Sequence, residues 1–126
     1  MKKKILNLTQ HEATSEQKEA GVVDLTEQEH AKLRNFLTFN DLPSCKEIED
    51  RADLIAELAS EYADPEDRYV MIGGAPFLMS ALEDKLKALC FEPLYAFSKR
   101  NVIEEVQEDG KIKKTAIFKH IGFVRA

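Results

Sequence analysis

Tyr69-Val70-Met71-Ile72-Gly73-Gly74-Ala75-Pro76 decides the fold. Tyr69 to Ile72 is an uninterrupted apolar run. It reads as a strand buried on both faces, which is the habit of a parallel sheet. The glycine pair makes a turn, and Pro76 suits the first position of a helix. Phe77, Leu78, Ala81, Leu82, Leu86 and Leu89 then recur at helical spacing, giving that helix a buried stripe. The octapeptide is therefore the strand, turn and helix start of a βαβ unit.

Toward the C-terminus, Pro93-Leu94-Tyr95-Ala96-Phe97 reads as the next strand, and Ser98-Lys99-Arg100 leaves it. Val102 to Val106 alternates in part, Asp109-Gly110 signals a hairpin turn, and Ile112 to Val124 is rich in β-formers. An antiparallel hairpin appended to the parallel sheet is expected.

Toward the N-terminus, Ile48, Ala52, Ile55, Leu58, Ala59 and Tyr62 form an amphipathic helix that ends at Asp64-Pro65. Ser44 with Glu47, Thr26 with Glu29, and Thr14 with Gln17 each have capping-box spacing. They predict three helix starts, and Gly21 suits the end of the first helix. Ile5 to Leu8 and Val22 to Leu25 are short strands. Strands alternating with helices imply right-handed crossovers and a parallel sheet. The expected fold is α/β: a Rossmann-like three-layer sandwich with a mainly parallel sheet and a C-terminal antiparallel β-hairpin. It spans residues 1–126 as one domain.

The composition, 44% hydrophobic and 33% charged, is that of a folded chain. A net charge of -5 argues against duplex nucleic acid, which wants a basic face. A small anion held by backbone amides is still compatible with it. Cys45 and Cys90 form neither a metal pattern nor a disulfide framework, and Cys90 reads as a small core residue. Met1 to Lys4 is basic, but the apolar stretch after it is too short for a signal peptide or a membrane span. A cytoplasmic, reduced protein is expected.

In a sheet of this kind ligands bind outside the carboxyl ends of the strands. Three polar segments should meet there: Thr9 to Thr14, Gly73 to Pro76, and Ser98 to Arg100. Gly73, Gly74 and Ala75 would bring bare backbone and a helix N-terminus to a phosphate. The turn lacks the lysine and hydroxyl of a Walker A loop, and tight βα packing explains the glycines equally well. Thr9, Gln10, His11 and Thr14 offer hydroxyl, amide and imidazole groups. His11 could hydrogen-bond a ligand or act as a general base, or simply sit exposed in a capping loop. Ser98, Lys99 and Arg100 would supply positive charge, or else form a solvated strand end. No second histidine stands at metal-ligand spacing from His11, so no metal and no cofactor is expected. His30 lies in a charged helix and reads as exposed. Most of Lys111, Lys113, Lys114, Lys119 and His120 read as charges guarding an edge strand.

Asn7-Leu8-Thr9-Gln10-His11-Glu12-Ala13-Thr14-Ser15-Glu16-Gln17 resembles the opening of small stand-alone CRISPR-associated Rossmann-fold (CARF) proteins. Tyr95-Ala96-Phe97-Ser98-Lys99-Arg100 also resembles theirs, together with Val102, Glu105, Lys113, Lys114, Phe118, Lys119, His120 and Phe123 after it. The likeness covers both ends and the glycine turn but not the middle, about residues 27–67, and no fused effector domain accompanies it. The resemblance implies a homodimer whose strand-end faces form a pocket for cyclic oligoadenylate, a messenger of antiviral defence. Thr9, Gln10 and His11 would line that pocket, Gly73 to Ala75 would cradle phosphate, and Ser98 to Arg100 would close it.

Three functions follow as expectations. One is a sensor or sink that binds the ring without chemistry. Another is a metal-independent ring nuclease, in which a ribose 2′-hydroxyl attacks its own phosphate. There His11 would handle the proton, and Lys99 or Arg100 would stabilise the oxyanion. The last is an interaction protein whose glycine turn is merely structural.

Overall fold

The computed structural model describes residues 3–126; Met1 and Lys2 of the basic start lie outside them. The elements run β1 (Ile5–Leu8), α1 (Ser15–Glu19), β2 (Val22–Val23), α2 (Glu27–Leu37), α3 (Cys45–Tyr62), β3 (Tyr69–Ile72), α4 (Pro76–Ala88), β4 (Glu92–Val106) and β5 (Ile112–Arg125). They form one mixed sheet in the order β2-β1-β3-β4-β5. β1 pairs in parallel with β2 and β3, and β3 with β4, while β5 runs antiparallel to β4. The chain steps from β1 outward to β2, then returns past β1 to β3 and β4. The direction of winding therefore reverses between β1 and β3.

Strand alternation assigns the two faces. Leu6 and Leu8 of β1 and Val70 and Ile72 of β3 join one core cluster with Leu33, Leu37, Ile55, Leu58, Leu78, Leu82 and Leu86. These leucines and isoleucines come from α2, α3 and α4, so all three helices cover the same face. Burying each such side chain contributes about 1.5–3 kcal/mol. The other face gathers Ile5, Val22, Met71 and Leu94 under Ala13, with Tyr69 and Phe123 partly buried beside them. Ala13 leads into α1, whose five residues include none that is buried.

The capping signals hold unequally. Thr14 Oγ1 accepts from the Gln17 amide, and Gln17 Oε1 accepts from the Thr14 amide, 3.1 and 3.0 Å long, so this box is complete. Ser44 Oγ accepts from the Glu47 amide, while the Glu47 carboxylate turns to Arg51. Thr26 makes no side-chain cap, and Glu29 pairs with Lys32 instead.

Three expectations are corrected. Ser98-Lys99-Arg100 does not leave the strand: β4 continues to Val106, paired rung by rung with β5. The long ladder closes at Gly110, whose φ of +82° suits the hairpin turn. It carries these residues out along an exposed two-stranded arm. Cys90 is exposed, because it sits beyond α4 with φ +64° as the reversing residue of the helix end. His30 is buried, because its ring packs beneath the end of β1 to bond backbone there. No helix among the described residues is long and apolar enough to cross a membrane.

Candidate functional site

The reversal between β1 and β3 leaves a crevice at their carboxyl ends. A cleft of about 550 Å³ occupies it, within the usual range for small-molecule sites. Its walls are the segment after β1 (Thr9, Gln10, His11, Glu12), Thr14 and Gln17 at α1, Met71 to Gly74 from β3, and Tyr95 and Ala96 from β4.

Asn7 builds the first wall. Its side chain is buried, and its amide donates to the His11 carbonyl and to Asp24 Oδ1, both at 2.8 Å. Its Oδ1 accepts from the Thr9 amide at 2.9 Å and from the Thr9 hydroxyl at 2.7 Å. One buried amide thus uses both donors and both lone pairs to fold the strand end back on itself. Asp24 Oδ1 also accepts from the Ala13 amide. His30 closes the arrangement from α2: its Nε2 lies 2.9 Å from the Thr9 carbonyl. A carbonyl only accepts, so this ring nitrogen carries the hydrogen.

His11 itself is exposed on the rim. The Gln10 side-chain amide lies 3.3 Å from its Nε2, which accepts there. Across the cleft, Gly73 faces Thr9: a Cβ at Gly73 would stand 3.5 Å from Thr9 Cγ2. Gly74 holds φ +155° and packs toward Met79 and Leu37. No side chain caps α4. Pro76 lacks an N–H, and the Leu78 amide turns to the Ala75 carbonyl. The first turn therefore offers the Phe77 amide and the helix dipole rather than a full set of free donors. Tyr95 forms the floor and donates its hydroxyl to Glu83 at 2.6 Å. Burial first, and the Glu83 carboxylate second, hold its pKa well above the usual tyrosine value. It stays protonated and serves as a donor, not a base.

Of the residues expected at the rim, Thr9, Gln10, His11, Thr14, Gly73 and Gly74 line one cleft. Ala75 stands behind it as the cap of α4. Ser98, Lys99 and Arg100 do not line it, and the lining holds no lysine or arginine. Arg100 lies four residues past Ala96, roughly 13 Å farther along an extended strand. Lys99 stands opposite Lys119 on the arm.

Sequence reasoning missed Gln17, Tyr95, Asn7, Asp24 and His30. Gln17 was legible only as half of a capping box, and Tyr95 only as a strand residue. A polar Asn7 inside the apolar run Ile5-Leu6-Asn7-Leu8 was the available signal for the buried network. Among the described residues no group of three histidines, cysteines, aspartates or glutamates could hold a metal ion.

Fold and cleft define an α/β domain with a strand-end crevice at its topological switch point. The model of the uncharacterized protein MJ1673 family matches residues 3–124, and the chain belongs to that family. Comparison with curated proteins and with solved structures finds no match.

Proposed function

We propose that this protein binds a nucleotide-type anion in the β1–β3 cleft, with cyclic oligoadenylate as the first ligand to test. In that reading it is a sensor or sink of antiviral defence, acting in the cytoplasm. The carrying observation is the convergence of Thr9 to Thr14 with Gly73 and Gly74 on one crevice, where the winding of the sheet reverses. The hydroxyls, amides and imidazole there suit a base or ribose, and the start of α4 suits one phosphate. The proposal extends to the architecture: a Rossmann-like three-layer sandwich, with α1 as the second helical layer.

Binding is favoured over ring cleavage. Cleavage needs His11 and a cation on the same phosphate, and Lys99 sits out on the arm.

The test is a thermal-shift series with cyclic di-, tri-, tetra- and hexa-adenylates, with mass spectrometry of the same samples. A ligand at a hundred times its Kd adds about 2.7 kcal/mol of stability. A rise in Tm without a cleaved product supports the reading. No shift with any ring at millimolar concentration overturns it. A linear product would replace binding with turnover.

A further inference from the structure

The arm formed by β4 beyond Phe97 and β5 up to His120 touches little of its own body: from Ser98 to Val106 every residue is exposed. A two-stranded ribbon alone is marginal in water. This one is nevertheless long, and it exposes four large apolar residues of the arm on one side against Ile103 and Ile117 on the other.

The pairing shows which side. Leu94 shares a sheet face with Met71. Alternation along β4 then places Ala96, Ser98, Arg100, Val102, Glu104 and Val106 on that same face. Their partners on β5 are Phe123, His120, Phe118, Ala116, Lys114 and Ile112. The extra residue of the bulge, Ile121, falls on β5, so β4 keeps its alternation. Val102, Val106, Ile112 and Phe118 are 53%, 78%, 58% and 68% exposed. They continue the face that begins in the body at Phe123.

Surface area fits a second copy as its cover. The chain exposes 8464 Å². A compact monomer of 14.3 kDa would expose about 6,800 Å². The excess, about 1,700 Å², matches one subunit's share of a permanent dimer interface. Charge points the same way. From Ser98 to His120 the arm carries six lysines and arginines against four acids, although the chain as a whole is at -5. The body therefore holds the acidic excess, and a second copy offers the arm its electrostatic complement.

We propose that the β4–β5 arm is a clasp: two copies of this chain pair about a two-fold axis, each laying the Val102–Phe118 face of its arm on the other. This does not depend on what the cleft binds.

Light scattering on the eluting full-length chain at tens of micromolar should give twice 14.3 kDa. Phe118→Asp should raise the dimer Kd about 30-fold or more, as loss of an aromatic anchor does. Its far-ultraviolet circular dichroism should match that of wild type. Val102→Asp, on the other strand of the same face, repeats the measurement should Phe118→Asp fail to fold. Thr115→Asp, on the opposite face of the ribbon, should leave the dimer intact. A monomeric wild type overturns the proposal. So does a dimer that tolerates both aspartates, or one that Thr115→Asp weakens equally.

Discussion

His30 Nε2 donates to the Thr9 carbonyl across 2.9 Å, tying α2 to the first residue past β1. The histidine is only 5% exposed. Removing its ring leaves a carbonyl without its donor and a cavity under the cleft wall. His30→Ala should cost about 2–4 kcal/mol in urea unfolding. Ligand-induced stabilisation should fall further than His11→Ala lowers it, because the whole Thr9–His11 segment loses its anchor. His30→Gln, which can still donate, should recover part of both. A variant that unfolds like wild type would show that Asn7 alone holds the segment.

The glycine pair separates structure from binding. Gly74 has φ +155°, and a Cβ there would meet Met79 Cε at 3.3 Å. Gly74→Ala should destabilise by about 1–3 kcal/mol through backbone strain. At Gly73 a Cβ meets only ordinary contact with Thr9. Gly73→Ala should leave the unfolding midpoint nearly unchanged, yet it narrows the cleft mouth between Thr9 and Gly73. Its Tm shift with a bound nucleotide should shrink. Equal losses of stability in the two variants would contradict this division.

Elements with strong local signals were legible: the apolar Tyr69–Ile72 strand, the Gly73-Gly74-Ala75-Pro76 turn and the Thr14–Gln17 box all stand where sequence places them. The cleft was legible as a convergence of two segments, because strand ends in a parallel sheet share one edge. What escaped depended on distant partners. His30 looks exposed in Glu27–Leu37, since nothing local reveals that Thr9 needs a donor. Ser98-Lys99-Arg100 looks like a strand end because polar residues usually end strands. Here the β5 ladder carries β4 through them.

Tyr95 gives a pH signature. Its folded pKa lies above the unfolded value of 10.0, through burial and then Glu83. Below that pH both states hold the proton, and the contribution is fully present. As pH rises past about 10 the unfolded chain ionises first, so stability falls until the folded tyrosine also ionises. Urea midpoints should drop between about pH 9 and 11, and Tyr95→Phe should flatten part of that drop. Tyr62, also raised, chiefly by Glu29, is exposed, and Tyr62→Phe should matter less. A midpoint indifferent to pH in wild type would remove the assignment.

Cys90 offers a stabilising change. α4 ends in a Schellman arrangement: the Phe91 amide donates to the Leu86 carbonyl at 2.9 Å, and the Cys90 amide to the Lys87 carbonyl at 3.0 Å. Phe91 and Leu86 join the same core cluster, completing the hydrophobic contact of that motif. The reversing position demands a left-handed backbone, and Cys90 takes φ +64° there with a Cβ that resists it. Glycine at this site relieves the strain but adds freedom to the unfolded chain. Relief of the strain outweighs that added freedom, so Cys90→Gly should gain about 0.5–1 kcal/mol. Cys90→Val, whose branch crowds the left-handed conformation, should lose about 1 kcal/mol or more. Urea unfolding of the three proteins under reducing conditions should therefore rank them glycine, cysteine, valine. A valine variant as stable as wild type would mean that the helix end relaxes out of this turn.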